Sequence, residues 1–389
     1  MIKALNHNSY NNQVNITQVK QRYPALDVLR GMTVALMILV NTPGSWNSIY
    51  APFRHADWHG FTITDLVFPT FLFVVGNAMS FSLKKFQDQG EVVYLKKVFK
   101  RTILIFLIGL FLNAFPFFHW SGGEFILNDL SSVRIMGVLQ RIAICYFIAS
   151  LIVKFWSVKG SLVISAMILL GYWGVLWYFG DSANPFGLEG NLVRKIDLFF
   201  IPDENLYQSF GLPFDPEGLL STLPAVVNVL AGYVAGVFIQ KSGSSLPTIA
   251  KLVLTGIALV LISKAWDFLL PINKSLWTSS YVLLTIGWDL VVIGALIWII
   301  EHMNLRRWAY FFEAFGRNPL FIYALSGMII AVMNLIHIEG LSLKSLIYKE
   351  VYVSWLNDYN ASLLFAVTYV FGLWVIGYWM DKKKIYIKV

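Results

Sequence analysis

Arg54-His-Ala-Asp-Trp-His-Gly-Phe-Thr-Ile-Thr-Asp-Leu-Val-Phe-Pro-Thr-Phe71 places two histidines and two carboxylates at the mouth of an apolar run that continues to residue 83. His55 can change its charge near neutral pH. Asp65 stands where apolar residues take over, and an ionisable group beside hydrocarbon is costly unless something pairs or uses it. The stretch therefore points to chemistry at a membrane.

The rest of the chain agrees. Of 389 residues 57% are hydrophobic, 16% aromatic and only 13% charged, with a mean hydropathy of +0.64, which excludes an ordinary soluble protein. Runs long enough to cross about 30 Å of hydrocarbon lie near 28–44, 63–83, 99–118, 133–153, 161–180, 219–240, 250–270, 278–300, 316–336 and 362–380. They lack the alternation of barrel strands, and lipid offers no partner for open backbone groups, so each is predicted to be helical. The expected fold is all-α: a polytopic bundle of about ten transmembrane helices. One membrane domain over 24–389 follows a polar segment, 1–23, that has no apolar core or cleavage site of a removable signal.

The formal net charge of +8 follows the membrane rather than a nucleic acid partner. With the N-terminus in the cytoplasm, 21 Lys and Arg fall on that side and seven on the other, with Arg141 and Lys264 inside helices. Both termini are thus predicted to be cytoplasmic, and His55 faces outward. The outward segment 181–218 is rich in Pro and Gly turns and reads as either a lid or a passive connector. A second outward loop, 337–361, carries His337, Glu339 and several aromatics.

Embedded polar residues are too many for a passive bundle: Asp27, Arg30, Asn41, Asp65, Asn113, Gln140, Arg141, Asn228, Lys264, Asp267, Asp289, Arg317 and Asn318. Lys264 with Asp267 and Asp27 with Arg30 have i,i+3 spacing and are predicted to pair. Arg141 has no acidic partner nearby in sequence, which leaves Asp289 or an anionic ligand. Pro69 and Pro224 each free a backbone carbonyl and permit kinks, while Gly76, Gly109, Gly232 and Gly236 allow close helix approach.

Several chemistries are excluded by motif. The chain has no Gly-rich phosphate loop and no serine nucleophile elbow. His55 and His59 are four apart but lack the HExxH context of a metal site, so no metal is expected. The single cysteine, Cys145, excludes an intrachain disulfide framework.

A series of short motifs then resembles the heparan-α-glucosaminide N-acetyltransferase family and its bacterial relatives over nearly all of 22–389. It comprises Leu26-Asp-Val-Leu-Arg-Gly31, Leu36-Met-Ile-Leu-Val-Asn41, His55-Ala-Asp-Trp-His-Gly60 and Thr64-Asp-Leu-Val-Phe-Pro69. It continues with Val133-Arg-Ile-Met-Gly-Val-Leu-Gln-Arg141, Asp215-Pro-Glu-Gly-Leu-Leu-Ser221, Asn273-Lys-Ser-Leu-Trp-Thr-Ser-Ser-Tyr281 and Asn318-Pro-Leu-Phe-Ile-Tyr323. The resemblance implies a bacterial inner-membrane transferase that takes acetyl-CoA from the cytosol and acetylates an amino sugar on the opposite side, with a homodimer as a family-based expectation. It assigns acetyl transfer to His55, and its motif positions match Asn41 and Asp65. The chain departs from the pattern in Thr42-Pro-Gly44 after Asn41 and in His59.

The chemistry suits these residues. Amine attack on a thioester needs a base, which His55 can supply. Asp65 could fix its tautomer, and Asn41 could donate to the oxyanion. A covalent acetyl-histidine is an open alternative to direct attack. The donor's phosphates cannot cross lipid, so Arg30, Arg141, Arg317 and Asn318 are candidate cofactor-binding residues along a polar channel. The competing class is an amino-sugar transporter, distinguished by its indifference to acetyl-CoA.

Overall fold

The computed structural model describes residues 23–83, 90–208 and 210–387. The polar segment 1–23, apart from Tyr23, lies outside them, as do Lys84, Lys85 and Lys388 of the charge count. Among the described residues thirteen α-helices carry the architecture: α1 Pro24–Asn41, α2 Ile63–Ser82, α3 Glu91–Ala114, α4 Val138–Phe155, α5 Val158–Phe179, α6 Leu192–Phe200, α7 Thr222–Ser242, α8 Leu246–Trp266, α9 Ser279–Ile297, α10 Ala309–Arg317, α11 Pro319–Leu335, α12 Leu343–Ile347 and α13 Asp358–Lys382. The only sheet among the described residues is two short hairpins, Phe118–Ser121 with Glu124–Leu127 and His337–Ile338 with Leu341–Ser342. The protein is an all-α polytopic membrane bundle.

All ten predicted runs are helical, but not all as single straight spans. Among the described residues eight helices are long and apolar enough to cross a bilayer, and up to nine if the pair α10–α11 counts as one span. That pair is bent by 84°. Proline disfavours helical conformation at the residue before it, and Asn318, at φ −131° and ψ 51°, is where the run 316–336 breaks. Helix α3 is 24 residues long, but its first half carries Lys96, Lys97, Lys100 and Arg101. Pro224 falls in the first turn of α7, where its missing N–H has no helical acceptor to lose, so it does not act as the predicted kink.

Burial separates an inner bundle from its surround. The most apolar window of α2 is 78% buried and that of α7 72%, against 17% for α5 and 28% for α8. In lipid the hydrophobic effect does not hold helices together, so close van der Waals approach has to do so. Gly76 of α2 and Gly232 of α7 provide it reciprocally. A Cβ on Gly76 would lie 1.8 Å from the Val229 carbonyl oxygen, and one on Gly232 1.8 Å from that of Phe73. Gly232 and Gly236 thus form a packing motif.

The expected pairs divide. Arg30 reaches Asp27 at 3.4 Å. Lys264 and Asp267 form no ion pair: Asp267 ends α8, and its carboxylate accepts from the Ile272 N–H at 2.7 Å instead. Asp289 accepts from Thr70 Oγ1 at 2.5 Å and is not the partner of Arg141.

Segment 181–218 is packed down over one end of the bundle. Trp58 donates to the Phe186 carbonyl at 2.9 Å and meets Phe210 and Phe214 edge-on, at 5.7 and 5.4 Å. Val193, Phe214, Leu270 and Leu276 are buried around that contact. The segment 42–53 is pinned to α13 by Gly44 N–H to Ser362 O at 3.2 Å and Ser45 N–H to Ser362 Oγ at 3.0 Å. These contacts fix the loop that carries His55.

Candidate active site

Thr62-Ile-Thr-Asp65 opens α2 as a capping box, with Thr62 at the N-cap and Asp65 at the third helical position. The Asp65 side chain is only 1% exposed. Its Oδ2 accepts from the backbone N–H of Thr62 at 3.0 Å and of Ala56 at 3.2 Å, and from Thr62 Oγ1 at 3.1 Å. Tyr281 Oη donates to the Asp65 carbonyl at 2.6 Å. Thus Asp65 is immobilised, and its remaining oxygen, Oδ1, lies 2.7 Å from His55 Nδ1. The structure brings His55 and Asp65 together across ten residues, with the imidazole 46% exposed.

A carboxylate only accepts, so Nδ1 carries the proton in this pair and the Nε2 lone pair is left to act as a base. Around it is a cavity of about 530 Å³ lined by Tyr50, Arg54, His55, Asp57 and Tyr359. The rings of Tyr50 and Tyr359 lie 5.4 Å apart, and Tyr50 Oη donates to Asn360 Oδ1 at 2.7 Å. His59 points elsewhere, with Nδ1 3.3 Å from Asn273 Nδ2, and burial pushes its imidazole below the ordinary histidine range. Among the described residues no three His, Cys, Asp or Glu side chains converge as metal ligands.

Sequence reasoning missed a cation beside this pair, Lys274, and a second buried ion-pair network built on Arg134. Lys274 Nζ lies 3.6 Å from Asp65 Oδ1 and 3.0 Å from His55 Nδ1, with 19% of its side chain exposed. Its loop is shaped by Asn273, whose Oδ1 accepts from Leu276 N–H at 2.7 Å, and is tied to the histidine loop by Gly60 N–H to Ile272 O at 2.8 Å. Burial pushes the Lys274 ammonium below the usual lysine range, against the opposing pull of Asp65 and Glu217. Arg134 clamps Asp215 through Nε to Oδ2 at 2.8 Å and Nη2 to Oδ1 at 2.5 Å, and reaches Glu217 Oε2 at 2.5 Å. Both cations stand in motifs quoted above, but pairings across such separations leave no periodic signal in a sequence.

The other candidates divide between two places. Arg30 and Arg317 line a cavity of about 340 Å³ together with Arg101, Tyr146 and Leu320. Arg317 is engaged by Asp381 and, at 3.2 Å, by Glu313. Arg101 stacks over Tyr146 at 4.9 Å, and its buried Nε has no hydrogen-bond partner. Asn41 lines a separate cavity of about 270 Å³ with Asn113, Tyr323 and Ser326. His55 is not among the residues that line that cavity.

Arg141 and Asn318 line neither cavity. Arg141 is fully buried, bonded to Gly218 O at 3.2 Å and to Ser221 Oγ, with Trp277 4.8 Å away. Asn318 clamps the C-terminal strand of chain through Ile385 O at 2.9 Å and Ile387 N–H at 2.8 Å. Asn318 is accounted for by these backbone partners, whereas the buried Nε and Nη1 of Arg141 have no hydrogen-bond partner.

A family model described as heparan-alpha-glucosaminide N-acetyltransferase, catalytic, matches residues 22–265, a span that contains His55 and Asp65. The chain belongs to that family. Among curated proteins it is similar to the heparan-alpha-glucosaminide N-acetyltransferase of Mus musculus, with 26% identity covering 78% of this chain and 53% of the relative. The Homo sapiens protein of the same name is 25% identical, covering 79% and 53%. The chain therefore spans about half the length of the curated relatives it matches. The family match ends before Lys274.

Proposed function

We propose that this protein is a transmembrane N-acetyltransferase that moves an acetyl group from acetyl-CoA to the amine of an amino sugar of the glucosamine type. The observation that carries the reading is the His55–Asp65 pair, 2.7 Å apart at the mouth of an open cavity. His55 Nε2 accepts a proton from the attacking amine, the nitrogen bonds to the acetyl carbon, and the carbon–sulfur bond breaks. The imidazolium then returns the proton to the departing thiolate. In the two-step form Nε2 itself attacks and carries the acetyl group to the amine.

The donor is read as entering from the opposite end, which is taken as cytoplasmic together with both termini on the basic-residue asymmetry. Arg30 and Asn41 are 11 residues apart on α1, and Arg101 and Asn113 are 12 apart on α3. At about 1.5 Å per residue, the cavities they line are stacked some 16–18 Å apart along the same helices. Arg101 and Arg317 both line the inner cavity with a buried Nε that lacks a partner, but Arg317 is already engaged by Asp381 and Glu313, so Arg101 is read as the guanidinium available to a phosphate.

The deciding experiment is acetyl transfer from radiolabelled acetyl-CoA to glucosamine by purified, detergent-solubilised protein. Labelled N-acetyl sugar is the expected product. No product across a panel of amino sugars, with sugar uptake into proteoliposomes lacking acetyl-CoA, would replace this reading with transport. Arg101→Met is expected to raise the KM for acetyl-CoA about ten-fold or more, the equivalent of one charge-assisted contact, while leaving sugar preference unchanged. An unaltered KM in folded protein would remove Arg101 from the donor path.

A further inference from the structure

We propose that Lys274 is a positioning residue of the transfer: its ammonium offsets the Asp65 carboxylate, so that His55 stays neutral with its proton on Nδ1 and its lone pair on Nε2. The inference rests on the reading of His55 as the base. It starts from a conflict within the pair. A carboxylate 2.7 Å from an imidazole orients it, but also favours the imidazolium, which has no lone pair with which to take a proton.

Lys274 removes the conflict by geometry. Its Nζ lies 3.6 Å from Asp65 Oδ1, 3.0 Å from His55 Nδ1 and 3.3 Å from Nε2. An ammonium only donates, and both nitrogens of an imidazolium carry hydrogens. A protonated His55 would therefore set a like charge against Lys274 at about contact distance. The neutral ring sets no like charge against the ammonium, and its Nδ1–H donates to Asp65 Oδ1. The three groups then sum to zero charge. The other charged or titratable groups lining the cavity with the ring are Tyr50, Arg54, Asp57 and, from α13, Tyr359, and Lys274 also feels Glu217 and Arg141.

The test compares wild type, Lys274→Gln and Lys274→Arg as full chains in detergent, with kcat/KM for acetyl-CoA and glucosamine measured from pH 5 to 9. Lys274→Met serves as a second neutral variant. Removing the cation is expected to move the acidic limb to higher pH by about one unit or more. Activity then falls about ten-fold near pH 6 and recovers towards pH 9, whereas Lys274→Arg keeps the wild-type limb. A loss independent of pH, or a limb displaced equally by arginine, would overturn the proposal. If wild type itself transfers no acetyl group, the transferase reading fails separately. Histidine-selective NMR titration of the same proteins then still reads the charge on His55: a neutral variant that titrates like wild type counts against Lys274, and one displaced to higher pH supports it.

Discussion

Replacing His55 by alanine is expected to lower kcat/KM for acetyl transfer by about 10²–10⁴-fold, the range that a positioned general base contributes. If His55 instead carries the acetyl group, the loss is expected at the upper end. The informative companion is Asp65→Asn. An asparagine can present its Nδ2 donor to His55 Nδ1, which stabilises the tautomer protonated at Nε2 and removes the lone pair from the cavity side. Asp65→Asn is therefore expected to approach the alanine variant at position 55 in severity while leaving acetyl-CoA binding nearly intact. Radiolabelled transfer assays on monodisperse protein make the comparison. His55→Ala activity within ten-fold of wild type would exclude His55 as base and nucleophile alike.

What could be read from the sequence was what local pattern carries. The apolar runs located every main helix, because span length is set by the bilayer and every backbone group must be bonded inside it. The break at Asn318-Pro319 was written in the sequence as well, but a hydropathy window averages over one proline. His55 and Asp65 stood out by their placement, and the capping box at Thr62 explains why the carboxylate can reach back to the histidine. Lys264 and Asp267 show the limit of spacing rules, since the helix ends at Asp267 and its side chain turns to the next loop. Lys274 and Arg134 were invisible as site residues because their partners lie 209 and 81 residues away, across contacts made only on folding.

Arg134 sets the second large expectation, which concerns the fold. It bridges the segments leading into α4 and α7, and its partners are deeply enclosed: the Asp215 side chain is 0% exposed and that of Glu217 11%. Burial alone would raise the Glu217 carboxyl, yet Arg134, Arg141 and Lys274 hold it below the usual range. A carboxylate depressed in the folded state stabilises above its unfolded pKa, and that contribution fades as pH falls through the folded value. Arg134→Met leaves two enclosed carboxylates short of their main cation, a change that costs about 3–5 kcal/mol when a buried pair is broken. The expected result is a clear drop in the thermal unfolding midpoint in detergent at pH 7, smaller at pH 4. Adding Asp215→Asn and Glu217→Gln to the same chain should recover much of that loss, because the penalty lies in the stranded charges rather than in the missing attraction. An Arg134→Met protein that melts with wild type at pH 7 would show that this network does not hold the cap of the bundle together.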